Sequence, residues 1–128
     1  MRLLLDTHVL LWWLTKSPSM PVSAQNLLRN RDHTVLVSAA SMWEIATKVR
    51  LGKLDVAIEV VENFVVYLAR ERIEVLAMTA DHAIRAGLLP GPHKDPFDRM
   101  LIAQALAENV PIVSNDRALD GYGVRRLW

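Results

Sequence analysis

Short apolar runs alternate along the chain with longer stretches in which apolar residues recur every three or four positions. The short runs lack polar alternation, which is typical of strands buried on both faces of a parallel sheet. The longer stretches are typical of helices with one buried face. The last short run contains two arginines, which favours the edge of the sheet. The predicted strands are residues 3–5, 34–37, 73–76, 111–113 and 124–128.

The helical stretches lie between the predicted strands, so the pattern predicts an α/β fold with a parallel sheet covered by helices on both faces. Capping residues mark several helix starts, such as Ser38 and Thr79, and Gly52 marks a helix end. Ligands of such folds bind at the carboxyl ends of the strands. The predicted helices are residues 9–14, 21–31, 39–51, 80–89 and 96–106, a longer one from Asp55 to the charged run at 70–72, and a short turn at 117–119.

Four acidic residues are predicted to lie near that carboxyl edge. Asp6 follows the first strand, and Asp116 follows the fourth. Glu44 lies in the helix after the second strand, and Asp98 lies in the first turn of the helix that leads into the fourth. A metal site requires these acids to meet in space, whereas helix capping does not.

Helix capping is the alternative for each acid taken singly. Asp6 could cap the helix that follows it, and Ser41 with Glu44 fits a capping box if that helix starts late. Asp95 is a suitable N-cap with Pro96 at the first helical position, and Asp98 could complete this arrangement. A carboxylate there also interacts favourably with the helix dipole.

Composition narrows the class of protein. The 128 residues have a net charge of +1, which argues against nucleic-acid binding by bulk charge. Any such binding must use a local basic patch. Hydrophobic residues make up 52% of the chain, so we expect one folded domain over residues 1–128. Cysteine is absent, which excludes disulfides and thiolate sites. With no apolar run long enough for a signal peptide or membrane span, we expect a cytoplasmic protein without a membrane partner.

An acid cluster without thiolates or a histidine pair favours a hard divalent cation. Clustered carboxylates raise one another's pKa, and a bound cation relieves the repulsion. Mg²⁺ and Mn²⁺ prefer oxygen ligands, so the sequence predicts one of these two rather than zinc. Hydrolysis at phosphorus is the chemistry that such sites most often perform.

The four acids and their surrounding motifs resemble those of PIN-domain ribonucleases, and more narrowly VapC-type toxins of toxin–antitoxin pairs. The resemblance covers nearly the whole chain, with the motifs in the family's order. Ser114 departs from a common threonine but keeps the hydroxyl. The matching segments are Leu-Leu-Asp-Thr-His at 4–8, Trp-Trp-Leu at 12–14, Trp-Glu-Ile at 43–45, Leu-Gly-Lys-Leu at 51–54, Asp-Pro-Phe-Asp-Arg at 95–99, Ile-Ala-Gln-Ala at 102–105 and Ser-Asn-Asp at 114–116.

This resemblance implies a PIN-like three-layer α/β/α sandwich and a Mg²⁺- or Mn²⁺-dependent endoribonuclease. It also implies an RNA substrate, inhibition by a cognate antitoxin, and a homodimer. Asp6, Asp98 and Asp116 would hold the metal directly or through water, and Glu44 would hold metal or orient the attacking water. The predicted substrate-binding residues are His8, Lys48, Lys53, His93, Arg99, Ser114 and Asn115.

The residues alone allow two other functions, a phosphatase and an inactive binding module. A phosphatase with acids at a sheet edge is disfavoured because His8 stands where the haloacid dehalogenase type has a second aspartate. A catalytically inactive PIN-like binding module is disfavoured because all four acids are present. Nucleotide-cofactor enzymes are excluded because the chain has neither a dinucleotide-binding glycine motif nor a Walker A loop.

Overall fold

Five strands form a wholly parallel central sheet in the computed structural model, which describes all of residues 1–128. The strand order is β3-β2-β1-β4-β5, so the arginine-bearing strand β5 lies at an edge, as predicted. The strands are β1 (Arg2–Leu5), β2 (Thr34–Ser38), β3 (Ile73–Leu76), β4 (Ile112–Val113) and β5 (Arg126–Leu127).

Helices cover both faces of this sheet and make three layers. They are α1 (Thr7–Leu14), α2 (Val22–Arg29), α3 (Ala39–Arg50), α4 (Ile58–Glu62), α5 (Phe64–Arg70), α6 (Ala80–Leu88) and α7 (Pro96–Glu108), followed by a 3-10 helix at Arg117–Tyr122. The predicted α/β/α architecture is therefore confirmed. No helix combines the length and the apolar composition that crossing a membrane requires.

The alternation of side chains along the strands divides the apolar core between the two faces. Leu3 and Leu5 pack on one face with residues of α1, α2, α3 and α5, whereas Leu4 packs on the other with residues of α7. Because both faces of each central strand are covered, the strands need unbroken apolar runs, and this explains the pattern in the sequence.

The long helix predicted from Asp55 is wrong. The chain instead forms two short helices, α4 and α5, separated at Asn63. The Asn63 side-chain amide donates to the carbonyl oxygen of Glu59 at 2.7 Å. Such local bonds from asparagine to the backbone compete with the regular helical ladder. Asp55 lies before α4 and does not start a helix.

The strand register aligns the carboxyl ends of the three central strands. Leu5, the last residue of β1, lies beside Val37 of β2 on one side and Val113 of β4 on the other. The chain positions that follow β1 and β4, Asp6 and Ser114, are therefore neighbours at the same edge of the sheet.

Candidate active site

Ser114 joins the two acids that follow strands. Its hydroxyl donates to Asp6 Oδ2 at 2.6 Å and accepts the backbone N–H of Asp116 at 3.0 Å. Ser114 is completely buried, and Asp6 is nearly so. Burial raises the pKa of Asp6 above its ordinary value, although the bond from Ser114 opposes that rise. Ser114 thus positions the two acids and, being buried, is not the substrate contact that the sequence predicted.

Asp6 does not act as a helix cap. It occupies the N-cap position of α1, but its side chain makes no capping hydrogen bond. The capping role proposed for Glu44 also fails, because α3 starts at Ala39, well before Ser41, and is capped by the Ser38 hydroxyl. Both carboxylates are therefore left for another function.

Glu44 is a buried carboxylate with one cationic neighbour. Its Oε2 accepts from Lys48 Nζ at 2.5 Å, one helical turn away on α3. Its Oε1 is buried and has no hydrogen-bond partner. The bond to Glu44 raises the pKa of Lys48, and the charges of Asp95 and Asp98 contribute to the rise. Lys48 therefore lies among the acids, and its ammonium group partly neutralises them.

The cap of α7 is Asp95, not Asp98. The Asp95 carboxylate accepts the backbone N–H groups of Phe97 and Asp98, with Pro96 at the first helical position, as predicted. The Asp98 carboxylate instead faces His93, with 3.1 Å between Asp98 Oδ2 and His93 Nε2. Asp98 is thereby free of the capping role that was its simplest explanation.

Burial and neighbouring carboxylates raise the pKa of Asp98 to about 6. Burial is the largest cause, followed by the charges of Asp95 and Asp6, with a smaller contribution from Glu44. Side-chain ligand atoms of His93, Asp98 and Asp116 lie within 4.8 Å of one another. Asp6, Asp98 and Asp116 also line one open cleft of about 590 Å³.

The other predicted substrate residues divide into those that line this cleft and those that do not. His8 and Asn115 are exposed and line it, and so does Arg117, which the sequence analysis missed. The only signal for Arg117 was its place directly after Asp116. Lys53 is exposed in the loop after α3, makes no hydrogen bond or ion pair through its side chain, and does not line the cleft.

Arg99 has a structural role that differs from the predicted phosphate contact. Its guanidinium donates to the carbonyl oxygens of Ala86 at 3.1 Å and His93 at 3.0 Å, and also to that of Leu89. A longer bond of 3.5 Å reaches Gly87. Four of the five N–H groups are thus engaged in holding the loop between α6 and α7.

The sequence matches the PIN domain family over residues 3–124, and the chain therefore belongs to that family. Within it, the chain is similar to the VapC proteins. It is 30% identical over 120 residues to ribonuclease VapC22 from Mycobacterium tuberculosis, covering 93% of this chain and 90% of that protein.

Solved structures of related toxins share the fold. VapBC2 from Rickettsia felis, crystallised with a DNA fragment from the promoter, gives a TM-score of 0.73 at 19% identity over 99% of this chain and 98% of that one. VapC20 from M. tuberculosis, described as a toxin that cleaves the sarcin–ricin loop, gives 0.69 at 16% identity over 95% of each chain.

Proposed function

We propose that the protein is a metal-dependent endoribonuclease toxin of the VapC type. The observation that carries this proposal is the convergence of Asp6, Asp98 and Asp116 on one cleft, with Glu44 buried nearby. Of the four acids, only Asp116 caps a helix through its side chain, since its Oδ1 accepts the N–H of Ala118 at 3.0 Å and its other carboxylate oxygen makes no capping bond. Membership of the PIN family and the similarity to a named ribonuclease support the same reaction.

The residues fit a hard divalent cation, either Mg²⁺ or Mn²⁺. Buried Glu44 Oε1 lacks a partner, and the raised pKa of Asp98 reflects the cost of holding a charge that is buried and lies beside other carboxylates. A cation of this kind removes both costs and accepts carboxylate oxygens as ligands. Asp98 and Asp116 would hold it directly, and Asp6 directly or through water.

The bound cation would supply an acidified water and would stabilise negative charge on the phosphate oxygens. Glu44 would orient the attacking water through its free carboxylate oxygen. His8, Asn115 and Arg117 line the same cleft and would bind the RNA backbone, since phosphate contacts position a nucleic acid without reading its sequence. Hydrolysis that breaks the bond from phosphorus to the 3′ oxygen leaves 5′-phosphate and 3′-hydroxyl ends.

Cleavage by Asp98→Asn tests the reaction. Asparagine keeps the shape of the side chain but removes the charge that binds metal, so the rate should fall by more than about a hundredfold while the fold is kept. Asp81→Asn is the matched control, because Asp81 is exposed, pairs with Arg85 within α6 and does not line the cleft. Near-wild-type cleavage by folded Asp98→Asn would refute the metal role of this residue.

The same purified protein separates the alternatives. Release of phosphate from small phosphomonoesters without RNA cleavage would indicate a phosphatase. Absence of metal-dependent cleavage on every RNA tested, by protein free of any partner, would indicate a binding module. Sequencing of RNA ends after brief induction in cells would identify the target.

We also propose a cognate antitoxin and a homodimer as partners, in the cytoplasm. The structural relatives include toxin–antitoxin complexes. A groove of about 290 Å³ lies beside α1 and would accept an amphipathic antitoxin helix. Its apolar lining residues are Trp12, Trp13, Leu14 and Met20, and its polar and charged ones are Lys16, Ser17, Gln25, Arg29 and Glu71. Trp13→Ala should weaken that complex, whereas Trp43→Ala, which alters an exposed tryptophan on α3, should not. Equal binding by both variants would exclude this groove, and gel filtration would test the dimer.

A further inference from the structure

His93 lies at the acid cluster, in the loop before α7, and takes no part in the cap of that helix. Its Nε2 is 3.1 Å from Asp98 Oδ2, and ligand atoms of His93, Asp98 and Asp116 all lie within 4.8 Å of one another. Neighbouring ligands of an octahedral ion with bonds of about 2.1 Å are about 3.0 Å apart, and opposite ligands are about 4.2 Å apart. The three groups are therefore close to the spacing that one shared ion imposes.

The backbone of His93 is fixed from two sides. The Tyr122 hydroxyl accepts its N–H at 2.7 Å, and Arg99 donates to its carbonyl oxygen at 3.0 Å. Gly91, two residues earlier, has a φ of +110° and packs so closely on the Tyr122 ring that a Cβ atom would meet it at 2.6 Å. The loop thus presents the imidazole to Asp98 from a fixed position, and such fixed placement is what a metal site needs.

We propose that His93 Nε2 is a nitrogen ligand of the metal ion, so that this site prefers Mn²⁺ to Mg²⁺. This inference rests on the proposed function only in that it assumes a metal at the acid cluster. The neutral imidazole coordinates through the lone pair of Nε2 and replaces the contact that this nitrogen now makes with Asp98.

The preference follows from the ligand chemistry. Mg²⁺ takes oxygen ligands and keeps several waters, whereas transition-metal ions accept imidazole and bind mixed nitrogen and oxygen sites more tightly. One nitrogen among carboxylates is suited to Mn²⁺, which also accepts oxygen ligands readily. An acid cluster alone would not distinguish the two ions in this way.

Pulsed electron paramagnetic resonance of bound Mn²⁺ gives the direct test. The full chain, stripped of metal with EDTA and reloaded with one equivalent of Mn²⁺, should show the modulation of a directly coordinated nitrogen. His93→Gln should lose that modulation. His8→Gln should keep it, because His8 is exposed on the same cleft but is not in the group of metal-ligand atoms. Wild-type protein that binds Mn²⁺ without nitrogen modulation, or His93→Gln that retains it, would overturn the proposal.

Calorimetric titration provides a second readout that does not depend on cleavage. His93→Gln should bind Mn²⁺ at least about tenfold more weakly than wild type while its Mg²⁺ affinity changes much less. Equal losses for both ions would mean that His93 only orients Asp98. If the proposed function were wrong, the results would differ from these. Wild type would then bind neither ion at Asp98, or would bind Mn²⁺ through nitrogen yet cleave no RNA.

Discussion

The acids at the strand ends and the acids on the helices are held in different ways. Asp6 and Asp116 share the hydroxyl of buried Ser114 and face no cation at bonding distance. Glu44 on α3 contacts the Lys48 ammonium, and Asp98 on α7 contacts the His93 imidazole. The strand-end acids are thus fixed by neutral hydrogen bonds, while each helix-borne acid has a side chain of its own that can offset its charge.

This difference indicates how the site exists without metal. Buried carboxylates repel one another, and a protein relieves the repulsion by supplying cations or by protonation. Lys48 supplies a cation to Glu44, and the raised pKa of Asp98 favours protonation of that carboxylate. A metal ion would take over both tasks, so the consequences of changing these residues should depend on whether metal is bound.

Of the substitutions around the four acids, removal of Lys48 should have the largest effect on stability. In metal-free protein, Lys48→Met leaves Glu44 buried without its cation. The free energy of unfolding should fall by about 2–3 kcal/mol, between the roughly 1 kcal/mol of an exposed pair and the roughly 3–5 kcal/mol of removing one partner of a buried pair. Urea unfolding with and without saturating Mn²⁺ measures this, and the loss should shrink with metal.

Lys53→Met is the control for that experiment. Lys53 is exposed and its side chain makes no ion pair, so its loss should change stability by less than about 0.5 kcal/mol. If Lys48→Met were as stable as Lys53→Met, the ion pair with Glu44 would contribute nothing to the folded state.

Several features of the fold could be predicted from the sequence alone. The alternating strands, the parallel sheet and the Asp95 cap follow from local patterns, because apolar runs and capping residues act over a few positions. The break at Asn63 did not, since the apolar pattern continues through this position and gives no sign of an interruption.

Contacts between residues far apart in the chain also could not be predicted from the sequence. Tyr122 accepts the His93 N–H across 29 positions of the chain, and Ser114 donates to Asp6 across 108. Only the folded chain reveals that Arg99 holds a loop, because its type and motif fit a phosphate contact equally well.

Ser114→Ala should remove the hydrogen bonds that hold the strand-end acids Asp6 and Asp116. The change removes the donor to Asp6 Oδ2 and the acceptor of the Asp116 N–H, so stability should fall by about 1–3 kcal/mol. The pKa of Asp6 should rise further, because Ser114 now opposes the rise. Cleavage at neutral pH should fall by about ten- to a hundredfold, as for other groups that orient metal ligands.

Ser114→Thr is the matched variant, because it keeps the hydroxyl. It should retain most of the cleavage activity and a pH profile close to that of wild type. Equal loss of cleavage in the alanine and threonine variants would mean that tight packing around this residue matters more than its hydroxyl.

The pH dependence of stability at Asp98 should be the smallest of these effects. Its sign distinguishes repulsion among the clustered acids from a helix-capping role of Asp98. Its pKa is raised from 3.8 to about 6, so the folded protein holds this proton more tightly than the unfolded chain does. Near pH 3 both states are protonated and Asp98 contributes nothing. As pH rises through 4 to 6, the unfolded chain loses the proton first, and the folded state is destabilised.

Asp98→Asn cannot ionise, so it should escape this loss. Relative to wild type, the metal-free variant should gain on the order of 1 kcal/mol between pH 4 and pH 7, after allowance for solvent screening of a partly exposed group. Urea unfolding of metal-free protein at both values measures the difference. A helix-capping role predicts the opposite sign, because a carboxylate at a helix start stabilises by about 0.3–1 kcal/mol once ionised. A variant that loses stability relative to wild type as the pH rises would therefore show that the dipole of α7 outweighs repulsion from the neighbouring acids.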